Sequence, residues 1–152
     1  MILELKTFLW AMAPIGELRL AIPIALNSYH LSVWSAYFIS VLGNMVPVFF
    51  LLWLLKPLSG YLSHHSYFLN RFFAWLFENN RKRHEKRFEY WKELALIIFV
   101  AIPLPLTGAW TGSICAFLFK IPFKTALPSI FLGVAMAGLI MTLFTLGIIN
   151  FI

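Results

Sequence analysis

Apolar residues fall into four long blocks along this chain, and two of the blocks are interrupted by polar residues and prolines. Val33 to Leu55 carries no charge, and neither does Thr125 to Ile152. Crossing the hydrocarbon core of a bilayer takes about 20 apolar residues. These two blocks are therefore predicted to be transmembrane helices, with Pro47 and Pro128 as kink positions. Leu5 to Leu26 is broken by Pro14, Gly16, Glu17, Arg19 and Pro23. Leu94 to Phe119 is broken by Pro103, Pro105, Thr107, Gly108, Thr111, Gly112 and Ser113. A broken helix frees backbone N–H and C=O groups, which cost several kcal/mol each in hydrocarbon unless they find partners. Both segments must then be buried in protein or line a wet cavity. The pattern predicts re-entrant hairpins or unwound helices.

Between the halves the pattern changes. Phe68, Leu69, Phe72, Phe73, Leu76 and Phe77 recur at helical spacing, which predicts an amphipathic helix lying in the membrane interface. Arg81, Lys82, Arg83, Lys86 and Arg87 follow, a cluster suited to anionic lipid head groups. The expected division is a first repeat over 1–56, a basic cytoplasmic connector over 57–92 and a second repeat over 93–152.

Composition strengthens the membrane reading. Charged residues make up 12% of the chain and apolar ones 61%, whereas a soluble domain carries about 25% charged residues. The excess of 12 basic over 6 acidic residues reads as an orientation signal rather than a nucleic-acid footprint. The N-terminus lacks the pattern of a cleavable signal peptide, because Glu4 precedes Lys6 and Glu17 and Arg19 occupy the place of a cleavage site. Cys115 is alone, so neither a disulfide framework nor a cysteine metal site is expected.

Placing Pro14 over Pro105 puts Ala25 on Ala116, and one residue of slip puts Gly43 on Gly133. Each half is then a proline-containing broken segment, a short loop and a glycine-containing spanning helix. If the breaks are re-entrant and the connector is cytoplasmic, Lys120 and Lys124 are cytoplasmic too. Every basic residue except Lys6 and Arg19 then lies on one side, as the positive-inside rule asks. The halves are thereby inverted about an axis in the membrane plane, the plan of many secondary transporters. The competing arrangement has four full crossings and puts Lys120 and Lys124 opposite the connector. The expected fold is an all-α integral membrane protein, multi-pass in the cell (inner or plasma) membrane. It is built as two inverted repeats joined by the interfacial helix.

Glu17 and Arg19 are the first candidate site residues, since intramembrane charges are costly and mark ion or substrate paths. Glu17 suits a proton or a cation, and Arg19 an anionic head group. In the second half Pro103, Pro105, Thr107 and Gly108 form an extended, turning tip. Thr111 and Ser113 add hydroxyls, and a helix starting after Gly108 would offer free N–H groups to an anion. Asn44, beside Gly43, is either an interhelical hydrogen-bonding residue or part of the site. His64 and His65 lack a third ligand at metal spacing, so no metal and no cofactor is expected. No nucleotide-binding or hydrolase motif is present, and no enzyme activity is expected.

The runs Pro14-Ile-Gly-Glu-Leu-Arg-Leu-Ala-Ile-Pro23, Gly43-Asn-Met-Val-Pro47, Phe99 to Gly112 and Gly133-Val-Ala-Met-Ala-Gly138 occur in that order. Together they resemble the small multi-drug export protein family, a relative of the DedA-like (VTT) membrane proteins. The resemblance covers nearly the whole chain except the central loop. Leu106 departs from it, standing where the family has glycine. The resemblance implies paired re-entrant hairpins facing each other, efflux of small molecules or translocation of lipids, and proton coupling. It also adds Trp110 to the candidate site of Glu17, Arg19, Pro103, Pro105, Thr107 and Gly108. The expected function is a secondary transporter for a small amphipathic or lipid-phosphate substrate, with Glu17 coupling protons and membrane lipids as partners. A homodimer fits the small size of the unit. The alternative is a non-transporting membrane assembly or lipid-homeostasis factor that docks a partner through the connector.

Overall fold

The computed structural model describes residues 1–65, 85–103 and 107–151. The interfacial helix expected over Phe68 to Phe77, the cluster residues Arg81 to Arg83, and Pro105 lie outside the described residues. Six helices are described: α1 (Ile2–Met12), α2 (Glu17–Asn27), α3 (Val33–His65), α4 (Glu85–Ala101), α5 (Ala109–Leu118) and α6 (Phe123–Phe151).

Each broken block is two helices joined by a proline-bearing link. Ala13, the residue before Pro14, is extended (φ −68°, ψ 137°), because a following proline ring disfavours helical backbone. The chain resumes helix at Glu17, so Arg19 stands on the first turn of α2 rather than on unwound chain. In the second half α4 stops at Ala101, just before Pro103, and α5 begins after Gly108. Pro23, Pro47, Pro57 and Pro128 lie inside helices that run on through them. α3 thus continues past the expected connector boundary to His65.

Two segments, Val33–Leu55 and Phe123–Gly147, are long and apolar enough to cross a membrane. Their outer faces carry Phe38, Phe50, Trp53, Leu54, Leu143 and Phe144, all exposed. A soluble surface does not carry so continuous an apolar band, whereas lipid accommodates it.

The helix contacts of one half have counterparts in the other. α1 packs on α3 as α4 packs on α6, and α2 meets α6 as α5 meets α3. α3 and α6 also touch directly, and the Tyr37 hydroxyl donates across that contact to the Ala135 carbonyl at 3.0 Å. Glycine permits the closest approaches. A Cβ on Gly43 would lie 2.6 Å from the Phe8 carbonyl oxygen of α1, and one on Gly133 would lie 2.9 Å from the Ile97 carbonyl oxygen of α4. Small residues let helices approach in this way where no hydrophobic force drives them together.

The connections from α2 to α3 and from α5 to α6 also correspond. His30 and Lys120 both have left-handed backbone (φ 50° and 54°). The next N–H in each case reaches back to close the turn, Leu31 to the Ala25 carbonyl at 3.0 Å and Ile121 to the Ala116 carbonyl at 2.9 Å. Ala25 and Ala116, paired in the sequence comparison, are both fully buried.

Candidate functional site

The two breaks meet. Glu17 opens α2, and its carboxylate lies over the N-terminus of α5, where Oε1 accepts the Trp110 N–H at 3.4 Å. The first N–H groups of any helix lack intrahelical partners and carry the positive end of its dipole. A carboxylate there is favourable, and here it is supplied by the other half of the chain. Glu17 is 8% exposed and is the one buried ionisable acid or base among the described residues.

Gly108 makes room for this contact. Its backbone is extended (φ −170°, ψ −170°) and within reach of any residue, so the glycine is not needed for a turn. Space is the reason: a Cβ on residue 108 would fall on both carboxylate oxygens of Glu17. The tight-turn role expected of Gly108 is thus replaced by a steric one.

Arg19 approaches the same break from the side. Its Nη2 donates to the Thr107 hydroxyl at 3.3 Å, and that hydroxyl donates to the Ile102 carbonyl at 2.6 Å. Thr107 thereby satisfies a carbonyl left over at the end of α4 while facing the guanidinium. Glu17 and Arg19 do not pair directly. The ion pairs among the described residues join the N-terminal amine to Glu4 and Lys92 to Glu89. The Trp110 indole Nε1–H donates to the Met12 carbonyl at 3.2 Å, a second tie from α5 to the first break.

Five of the expected residues, Glu17, Arg19, Thr107, Gly108 and Trp110, therefore converge on one junction. Pro103 lies in the link that leads into it, and Pro105 is outside the described residues. Thr111 lies in α5, half-buried and beyond the contacts just given. Ser113 spends its hydroxyl on the Ala109 carbonyl within its own helix, at 2.7 Å. Asn44 is 1% exposed in α3, and its Oδ1 has no hydrogen-bond partner. The sequence reading passed over Met12, whose contribution is a backbone carbonyl, and Ser40, whose buried hydroxyl also lacks a partner. Among the described residues no group of three or more His, Cys, Asp or Glu side chains is placed to hold a metal ion.

Chemically, the junction holds a buried carboxyl group and a half-buried guanidinium at the Thr107–Gly108 step. The carboxyl can take up or release a proton, and the guanidinium, which keeps its charge, can orient an anionic group. The pattern of a family described as "Putative small multi-drug export protein" matches residues 17–140. The chain belongs to this family. No curated protein and no solved structure matches it. The name of the small multi-drug export family points to export of small molecules, and with the two long apolar helices it makes the chain a membrane protein. The matched region begins at Glu17 and so takes in every candidate residue named above.

Proposed function

We propose that this chain is a secondary transporter that exports small amphipathic molecules across the cell membrane, with the substrate path at the junction of the two breaks. The observation that carries the reading is the Glu17 carboxylate, buried and seated on the α5 N-terminus from the opposite half. A buried carboxylate held by N–H groups is a group that can be released by one proton. In this reading, protonation of Glu17 loosens the tie between halves and deprotonation restores it, which couples transport to the proton gradient. Arg19 and Thr107 orient the polar end of the substrate. The matched helix contacts and the matched turns at His30 and Lys120 support two repeats. The positive-inside bias supports their inversion, with both breaks re-entrant and the central connector cytoplasmic. A kinship to the DedA-like proteins would extend the cargo to lipid phosphates.

The test is transport in proteoliposomes with an imposed pH gradient. One arm uses ethidium as an amphipathic cation, and the other a fluorescent lipid phosphate. Wild-type protein moves ethidium when the gradient is applied, and Glu17→Gln abolishes the gradient dependence. Movement of the lipid phosphate with loss in Arg19→Ala and partial retention in Arg19→Lys reassigns the cargo. Unchanged rate and pH dependence in Glu17→Gln removes Glu17 as the coupling group.

A further inference from the structure

The two halves can be laid over each other residue by residue. Gly43 and Gly133 make the same close approach, His30 and Lys120 take the same left-handed turn, and Ala25 and Ala116 are equally buried. The ties across the junction match as well. Trp110 of α5 reaches the Met12 carbonyl at the end of α1, and Arg19 of α2 reaches the Ile102 carbonyl past the end of α4 through the Thr107 hydroxyl. α3 and α6 run antiparallel, since the Phe49 ring meets that of Phe123, with centroids 5.8 Å apart, while Tyr37 reaches Ala135. Antiparallel equivalents with reciprocal ties are what a two-fold axis between the halves produces.

Glu17 and Gly108 pair in this register, with the same 91-residue separation as Arg19 and Trp110. Each stands at the entrance to its helix, yet their backbones differ in kind. Glu17 is left-handed at φ 48°, and Gly108 is extended at φ −170°. The exit turns supply the internal control, because His30 and Lys120 agree at φ 50° and 54°. The halves are thus alike at their exits and unlike at the junction.

A two-fold pair with unlike members has a second arrangement, in which the members exchange roles. There residue 108 takes the left-handed angle and residue 17 the extended one. The residue types suit that exchange. Glycine enters the left-handed region without steric penalty, and glutamate is released from it. Space is what the present arrangement asks of Gly108, and conformational freedom is what the second one asks. The present arrangement is held by the Glu17 carboxylate on the α5 N-terminus.

We infer that Glu17 and Gly108 form a two-state hinge pair whose backbone angles exchange between the halves, with the Glu17 carboxylate as the latch on the present state. With the halves inverted as proposed above, the exchange reverses the side of the membrane that the junction faces. That consequence, and protonation as the release of the latch, rest on the transport reading. The exchange of angles does not.

The experiment is fluorine NMR of the purified full-length protein in detergent. Cys115→Ser removes the native thiol, and Ile15→Cys, at an exposed position in the first link, carries a trifluoromethyl label. Glu17→Ala loses the latch and penalises the left-handed angle at residue 17. Its label moves to a second resonance that exceeds the first about tenfold, the ratio set by one non-glycine residue in the left-handed region. Glu17→Gly with Gly108→Ala loses the same carboxylate, but its residue types suit only the present angles, and it keeps the first resonance. Glu17→Ala with Gly108→Ala penalises both arrangements alike and brings the two resonances to comparable size. A single resonance shared by all three variants overturns the exchange. So does a second resonance that Gly108→Ala leaves undiminished in the Glu17→Ala background, because the first link would then relax on its own. In the protein with glutamate at residue 17, the second resonance grows as the pH falls. Variants that separate as expected beside such a protein that ignores acid support the exchange and remove protonation as its release, so the two readings fail separately.

Discussion

Replacing Gly108 by alanine sets two opposed effects against each other. The residue is extended, with φ −170° and ψ −170°. At a backbone position alanine can adopt, the substitution ordinarily stabilises by about 0.4–1 kcal/mol, because the unfolded chain loses freedom. Here the new Cβ falls on the Glu17 carboxylate, which must leave the α5 N-terminus. A hydrogen bond to a charged group contributes about 1.5–3 kcal/mol. A carboxylate at a helix N-terminus contributes about 0.3–1 kcal/mol. The two overlap, and the 3.4 Å Trp110 contact favours the lower end. The expected outcome for Gly108→Ala is a net loss of about 1–2 kcal/mol. In a Glu17→Ala background the obstacle is gone. There the same change is neutral, or stabilising by up to about 1 kcal/mol. The assay is denaturation of the purified protein in detergent for wild type, the two single variants and the double variant, read as a double-mutant cycle. Equal destabilisation by Gly108→Ala in both backgrounds would refute the steric account of this glycine.

Gly43→Ala places a Cβ 2.6 Å from a backbone oxygen that cannot swing aside, and it is expected to cost about 1–3 kcal/mol. Gly147→Ala, with nothing within 4 Å, is expected to gain up to about 1 kcal/mol from helix propensity; melting curves that fail to separate the two contradict the close α1–α3 contact. Trp110→Phe removes the donor to the Met12 carbonyl and is expected to lower stability by about 0.5–1.5 kcal/mol. An unchanged denaturation midpoint would show that the indole does not tie α5 to the first break.

The uncharged blocks starting at Val33 and Thr125 were legible as helices long and apolar enough to cross a membrane, because length and hydropathy are all that this property requires. The breaks were legible because Pro14 and Pro103 stand among glycine and polar residues, whereas Pro23, Pro47, Pro57 and Pro128 lie in helices that run on through them. Glu17 and Arg19 were legible as a pair worth following because charge is costly in lipid. What those side chains face was not legible. The main-chain donors at Trp110 and the carbonyl of Met12 have no signature in residue type. Gly108 was read through its conformational freedom, yet the property in use is its missing side chain, which only the position of Glu17 reveals. Ser40 resembles any small residue packed in an apolar helix, and its lack of a partner appears only once its neighbours are in place.

Glu17 has left-handed backbone, with φ 48°. For a residue with a side chain that conformation is disfavoured by about 1–2 kcal/mol. The carboxylate contact with α5 therefore works against a loaded spring in the chain that bears it. Once the contact is broken, Glu17 has a downhill route to ordinary backbone angles. The stored energy also orders the substitutions at this position. Glu17→Gly and Glu17→Ala lose the same carboxylate, but glycine is at ease at φ 48° and keeps the link in its present shape. Glycine is expected to trap the engaged form of the link and alanine to release it, and hydrogen exchange at the Glu17 and Leu18 amides distinguishes them. Equal exchange in the two variants would mean that the spring is not loaded.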